Sequence, residues 1–269
     1  MIGGCVFKIL EDTAARRALR LSFREWRAQL RSGRLALCVM TAGGAGAALA
    51  AQDLPQGPID RARYDAPTTR YPHGVLGDAV EHGALVIQYA GQPTPHILTL
   101  PPERVFEDVA PRLADLDGDG QQEVVVVESH RDLGARLAVY NGAGLVAATP
   151  YIGQRFRWLA PVGVADLDGD GLTEIAYIDR PHLAKVLRIW RFEDGRLRQV
   201  ARRAGFTNHR IGDTGIAGGI RRCGGAPEII VADADWQRIV ALGLAGGALT
   251  ARDAGPHRGP ADFTRALAC

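Results

Sequence analysis

The sequence predicts an all-β protein built from repeated units, and three observations predict it. From about residue 79 onward, short apolar runs alternate with clusters of Gly, Pro, Asp and Asn. No helical period of useful length runs through that region. The heptapeptide ADLDGDG occurs at residues 114–120 and again at 165–171, with its two copies 51 residues apart.

Taken in chain order, residues 1–51 read as a leader. They hold eight Lys/Arg and three Asp/Glu, and the basic residues precede the run LALCVMTAGGAGAALAAQ. A positive segment, a short apolar segment and Ala48-Leu49-Ala50 make a secretory signal peptide with a small-x-small cleavage site. The alternative is an uncleaved anchor, but an apolar run of about 17 residues rich in Gly and Ala is short for a span. Residues 52–78 form an extended N-terminal segment, and 79–269 form the repeat domain. The whole chain is only slightly basic, with a net charge of +2, so the part after the leader is slightly acidic. That argues against nucleic acid as the partner, because phosphate neutralisation needs a basic face.

Strands are expected near 83–90, 95–100, 123–128, 136–140, 174–179, 186–192, 228–232 and 238–243. They recur as units. DLDGDGQQEVVVV precedes RLAVYNGAG, and DLDGDGLTEIAYI precedes VLRIWRFEDG. A third unit, GGIRRCGGAPEIIVA with RIVALGLAGG, keeps the strands and loses the acids. A fainter first unit is GVLGDAVEHGALVIQ with HILTL. Glu123 and Glu174 are 51 residues apart, and Glu174 and Glu228 are 54 apart, which leaves room for four short strands per unit. Radially repeated four-stranded units make a β-propeller, here a small one of about four blades. Runs such as VVVV, apolar on successive residues, fit strands covered on both faces.

The acidic loops carry the chemistry. Asp115, Asp117, Asp119 and Glu123 occupy positions 1, 3, 5 and 9 of the first loop, and Asp166, Asp168, Asp170 and Glu174 those of the second. Four carboxylates in nine residues repel one another unless a cation sits among them. Hard oxygen ligands at these positions, with the carbonyls of Gln121 and Leu172 at position 7, suit Ca²⁺. Mg²⁺ holds its waters and demands stricter geometry, and Zn²⁺ lacks His or Cys ligands in the loop. An EF-hand needs Glu at position 12 and an exiting helix. Here position 12 is Val126 or Tyr177, and β-branched residues follow.

ADLDGDGQQEVVVV and ADLDGDGLTEIAYI resemble the FG-GAP/VCBS-type repeats of β-propellers, the repeat also found in integrin α-subunits. The resemblance covers about residues 65–265 and implies two structural calcium ions at turns between blade strands. It implies Asp115, Asp117, Asp119, Gln121 and Glu123 as one ligand set. Asp166, Asp168, Asp170, Leu172 and Glu174 are implied as the other. In the third unit the acidic positions become Ile220, Arg222 and Gly224, so that blade is expected to hold no metal.

With the leader removed, Cys223 and Cys269 are the remaining cysteines. An oxidising compartment makes a disulfide between them the expectation; the alternative is two independent thiols. QRFRWLAP and TNHRIGD bring Arg155, Arg157, Trp158, Asn208, His209 and Arg210 toward one end of the ring. They form either a patch for an anionic or sugar ligand or inter-blade packing. Ser129, His130 and Asp132 are neighbours in sequence, but alternate strand residues face opposite ways and cannot form a relay. The expectation is therefore an exported, non-enzymatic calcium-binding module, periplasmic or secreted. Its partner would be an envelope or extracellular protein or a glycan, with no membrane span after signal cleavage. A hydrolase using the converging loops is the alternative, and a homodimer completing a larger ring is a third possibility.

Overall fold

The computed structural model describes residues 57–269, so the expected signal peptide lies outside the described residues. Within them, three sheets are built almost entirely of antiparallel neighbours. The first holds β1 (Ile59–Thr68), β2 (Glu81–Tyr89), β3 (His96–Thr99), β4 (Arg104–Phe106), β5 (Arg112–Ala114), β6 (Glu123–His130), β7 (Gly134–Asn141) and β8 (Gly144–Ala148). The second holds β9 (Leu159–Ala165), β10 (Glu174–Asp179), β11 (Val186–Glu193) and β12 (Arg196–Ala204). The third holds β13 (Phe206–Thr207), β14 (Gly219–Arg221), β15 (Glu228–Asp233), β16 (Arg238–Ala245) and β17 (Ala248–Pro256).

The three repeat units share one plan. An inner strand pairs with a buried second strand, which pairs with a third and then a fourth. In the middle unit the inner strand is β9, with a register shift opposite Ala176 and Tyr177. In the other two it is broken: β4 and β5 both pair with β6, and β13 and β14 both pair with β15. The expected fourth blade is not a separate sheet. β1, β2 and β3 join the first repeat unit through β4, where His82 pairs with Phe106 and Arg104 with His130.

The stacking follows from side-chain alternation along the second strands. In β6, Val124 and Val126 pack with Leu85, Ile87 and Ala138. Val125 and Val127 face the other way, toward Leu159, Ile175 and Tyr177. In β10, Ala176 and Ile178 then meet Ile229, Val231 and Leu242. Each strand is covered on both faces, which is why its sequence reads as a continuous apolar run.

Among the described residues, no apolar cluster joins β1–β3 to the last sheet. The outer face of that sheet is instead covered by α1 (Pro260–Leu267), which sets Phe263 and Ala266 against Ile230, Ala232, Ile239 and Ala241. The elements expected from the sequence include no helix here. It is eight residues long, starts with Pro260 at its first turn and is closed by Asp262, which accepts the amides of Arg258 and Gly259 at 2.6 and 3.0 Å. The segment between β1 and β2 meets the last unit through a loop at one end, where the Gly212 amide donates to Val75 O at 3.2 Å, and it meets the loop before β9, where the Phe156 amide donates to the Tyr71 hydroxyl at 2.9 Å.

Cys223 and Cys269 form the expected disulfide, with Cα atoms 5.4 Å apart and a separation of 46 positions in sequence. It ties the tail beyond α1 to the loop between β14 and β15, the place where the other units carry their acids. Closing a loop of this length contributes about 3–4 kcal/mol in the chain-entropy view. Replacing both cysteines with serine should lower the melting temperature by roughly 10 °C. Differential scanning calorimetry of the parent with and without dithiothreitol checks this, and a reduced parent that melts like the oxidised one would refute it.

Candidate metal centres

Each acidic loop connects an inner strand to the buried second strand of its unit, and the two loops fold alike. Asp115 opens the first and accepts the amides of Gly118 and Gly120 at 2.8 and 3.0 Å. Asp166 does the same for Gly169 and Gly171 at 2.7 and 2.9 Å. These glycines hold φ between 77° and 89°, the left-handed region that a β-carbon disfavours. At position 9, Glu123 accepts the Leu116 amide at 3.0 Å, and Glu174 accepts the Leu167 amide at 2.8 Å. Both leucines are buried between units. Position 2 thus anchors each loop in an apolar seam while positions 1, 3 and 9 converge.

The convergence is tight. Carboxylate oxygens of Asp115, Asp117 and Glu123 all lie within 4.8 Å of one another, and so do those of Asp166, Asp168 and Glu174. Asp119 and Asp170 stand at the rim, accepting the amides of Gln121 and Leu172 at 2.7 and 2.9 Å. Burial pushes the Glu123 carboxyl above its usual range; the Leu116 amide opposes that, and the Asp117, Asp119 and Asp115 charges push it further. Burial likewise raises Glu174, against the Leu167 amide and Arg191. Glu123 is met by no basic side chain among the described residues, and Glu174 is met by Arg191.

The donor set fits a hard divalent cation. It is all oxygen, it is rich in charge, and in the second loop Asp168 Oδ1 is buried without a hydrogen-bond partner. A bound ion would satisfy that oxygen and neutralise the carboxylates. Residues that would hold it are Asp115, Asp117 and Glu123 in one loop and Asp166, Asp168 and Glu174 in the other.

The sequence reading did not single out Arg191. On β11 it pairs across from Glu174 and reaches Glu174, Asp168 and Asp170 at 2.5, 3.0 and 2.8 Å. The visible signal is a charged residue inside the apolar run VLRIWRF, but its partner depends on strand register.

At the opposite end, the six residues expected as a ligand patch separate. Trp158 and His209 meet edge to face with ring centres 4.9 Å apart, and both are buried. Asn208 is fully buried and donates to Ala160 O and Pro161 O at 3.2 and 3.4 Å. These three are packing residues. Arg155 stacks on Phe156 and Arg210 on Trp236, at 4.4 and 4.2 Å, and Arg157 donates to Phe156 O at 3.0 Å.

A cluster the sequence did not reveal lies beneath them. Ser129, fully buried, donates to Glu107, and His73 Nδ1 sits 2.5 Å from the other Glu107 oxygen. His130 accepts the Asp132 amide at 3.1 Å, a local turn contact rather than part of a relay.

Residues 115–177 match the model of the FG-GAP-like repeat. The match opens on Asp115 and runs through both acidic loops to three residues past Glu174. No curated protein matches the chain. The segment is therefore similar to an FG-GAP-like repeat and lies within an all-β, sheet-rich fold that is consistent with a propeller type.

Glu81 supplies a test of the buried acids at the far end. Burial first, then the charges of Glu107, Asp78 and Asp108, push its carboxyl up to about 9. The fold therefore keeps a proton that the unfolded chain loses near pH 4–5. Stability falls as pH climbs from there toward 9, because the native state then binds more protons than the unfolded one. Glu81→Gln should stabilise the protein by about 1–2 kcal/mol at pH 8 and have no effect at pH 4. Urea titrations at the two pH values check it; a variant no more stable than the parent at pH 8 would contradict it.

Proposed function

We propose that this chain is an exported binding module of the propeller type, in which two calcium ions are structural. The observation that carries the reading is the repetition of one carboxylate triad, with oxygens within 4.8 Å, at the same place in successive units. Chance clustering of surface acids does not reproduce the same hydrogen bonds to the same loop positions.

Calcium accepts six to eight oxygen ligands with loose geometry, so the rim carboxylates Asp119 and Asp170 and the carbonyls of Gln121 and Leu172 complete the two sets. The ion supplies charge neutralisation, which lets Glu123 and Glu174 stay ionised at the buried start of β6 and β10. The chain's own residues do the rest. The glycines turn the loop, the leucines at position 2 seat it, and the strands hold the triad in register.

Export is supported by the leader-like sequence of residues 1–51 and by the disulfide between Cys223 and Cys269, a bond that persists in oxidising compartments. No helix among the described residues is long and apolar enough to cross a membrane. The partner in this reading is an envelope or extracellular protein or a glycan, since such repeats serve as rigid platforms for loops.

A ligand that binds only the native state stabilises it by about 2.7 kcal/mol at a hundred-fold excess over Kd. The parent should melt several degrees lower in EGTA than in millimolar Ca²⁺, and Asp117→Ala combined with Asp168→Ala should abolish that difference. Thermal melts followed by circular dichroism read both. A parent whose melting is indifferent to EGTA would end the calcium reading.

A further inference from the structure

The two acidic loops have the same seven-residue core, and the fold does not treat them alike. In the second, Arg191 sits against three of the four carboxylates at 2.5–3.0 Å, and its side chain is 12% exposed. Among the described residues, no arginine, lysine or histidine pairs with Asp115, Asp117, Asp119 or Glu123. The register explains the difference. Glu174 faces Arg191 across β10 and β11. Val124 faces Tyr140 across β6 and β7, so one pair further out Glu123 faces Asn141.

The third unit extends the series. Its acidic loop has become RRCGGAP, yet Glu228 remains at the start of β15. Two arginines close on it: Arg221, its partner on β14, and Arg252 from β17, at 2.9 Å. Successive units therefore hold the same glutamate with no arginine, one arginine and two.

We propose that Arg191 is a resident counter-cation of the second loop, and that it makes the two calcium sites unequal. This rests on the calcium reading above. The first loop presents four carboxylates and no fixed positive charge, so an ion there meets the full attraction. The second presents four carboxylates and a guanidinium that cannot lose its proton. An incoming ion must share those oxygens with it or displace it. Calcium affinity in such loops follows ligand charge and rigidity. The first loop is the high-affinity, calcium-dependent site. The second binds at least about ten-fold more weakly and keeps its shape without the ion.

Isothermal titration of the full chain with Ca²⁺ tests this, using Asp168→Ala to leave only the first loop and Asp117→Ala to leave only the second. The protein retaining the first loop should bind one ion with a Kd at least about ten-fold lower than the protein retaining the second. Adding Arg191→Met to Asp117→Ala should close most of that gap. Equal constants for the two single variants, or a gap that survives Arg191→Met, overturn the inference and leave the calcium reading standing. Absence of calcium binding by the parent overturns both. If the methionine variant lacks the native circular dichroism spectrum, Arg191→Lys in the same background takes its place. Lysine keeps the charge without spanning three carboxylates, so its constant should fall between the two; an unchanged constant overturns the proposal.

Discussion

One constraint recurs through the structure: each repeat unit starts its second strand with a glutamate that the fold draws away from water. Glu123 and Glu174 are buried, and Glu228 is half-buried. An ionised carboxylate in such a place is tolerated only when positive charge or several donors meet it. The backbone supplies part of the answer, through the amides of Leu116 and Leu167. The remainder differs by unit. Among the described residues, no basic side chain pairs with it in the first, Arg191 does so in the second, and Arg221 and Arg252 do so in the third; on the calcium reading proposed above, an ion would supply the rest in the first two. The loss of acids from the third loop is then part of the same electrostatic balance.

The stack of sheets depends on that corner because the loops are not peripheral to the core. Position 2 of each loop is a leucine inserted between units: Leu116 in the seam between the first and second repeat units, Leu167 in the seam between the second and third. A Thr173 hydroxyl also donates to Asp115 O at 3.4 Å, so the second loop touches the first. Loops that repel themselves open would withdraw a buried leucine, a change worth about 1.5–3 kcal/mol in lost burial alone. Where the third unit has no acids to clasp, the disulfide to Cys269 closes the same corner covalently.

Much of this was legible in the sequence, and the reason is local. β10 covers the 174–179 expected for it, because Glu174-Ile-Ala-Tyr-Ile-Asp is bounded by a glycine turn and an arginine turn and is apolar on both faces. The acidic loops were legible for the same reason: ligands, turn glycines and anchoring leucine all lie within nine residues. The inner strands β5, β13 and β14 were not visible, since two or three residues carry no period. The joining of β1–β3 to the next sheet was not visible either, because it is a matter of strand pairing. Helix α1 is too short to show a pattern, and it earns its place by covering β15 and β16. Arg191 and the Glu107–His73–Ser129 cluster were hidden because their partners are 17 to 34 residues away and are brought together only by register.

The two ends of the stack consequently have different chemistry. At the end with the acidic loops the charges are numerous and half-exposed, and Arg191 is matched to three of them. At the other end, several buried acids are met by fixed arginines, Glu128 by Arg104 and Arg136 and Asp179 by Arg180 and Arg188. Glu81 keeps its proton, and burial lowers His182, to about 4, with His209 and His73 acting in the same sense. His182 and His209 share a hydrogen bond of 3.0 Å, and His209 is pinned to Asp213 O at 2.9 Å. The hydrogen-bonded histidine pair, packed against Trp158, joins the second unit to the third. That leaves the loops around it, with Leu183 and Ile211 exposed at 63% and 73%, as surface free to vary without disturbing the charge balance at the far end. On the calcium reading proposed above, ions would hold one end, while buried ion pairs and packed aromatic rings hold the other.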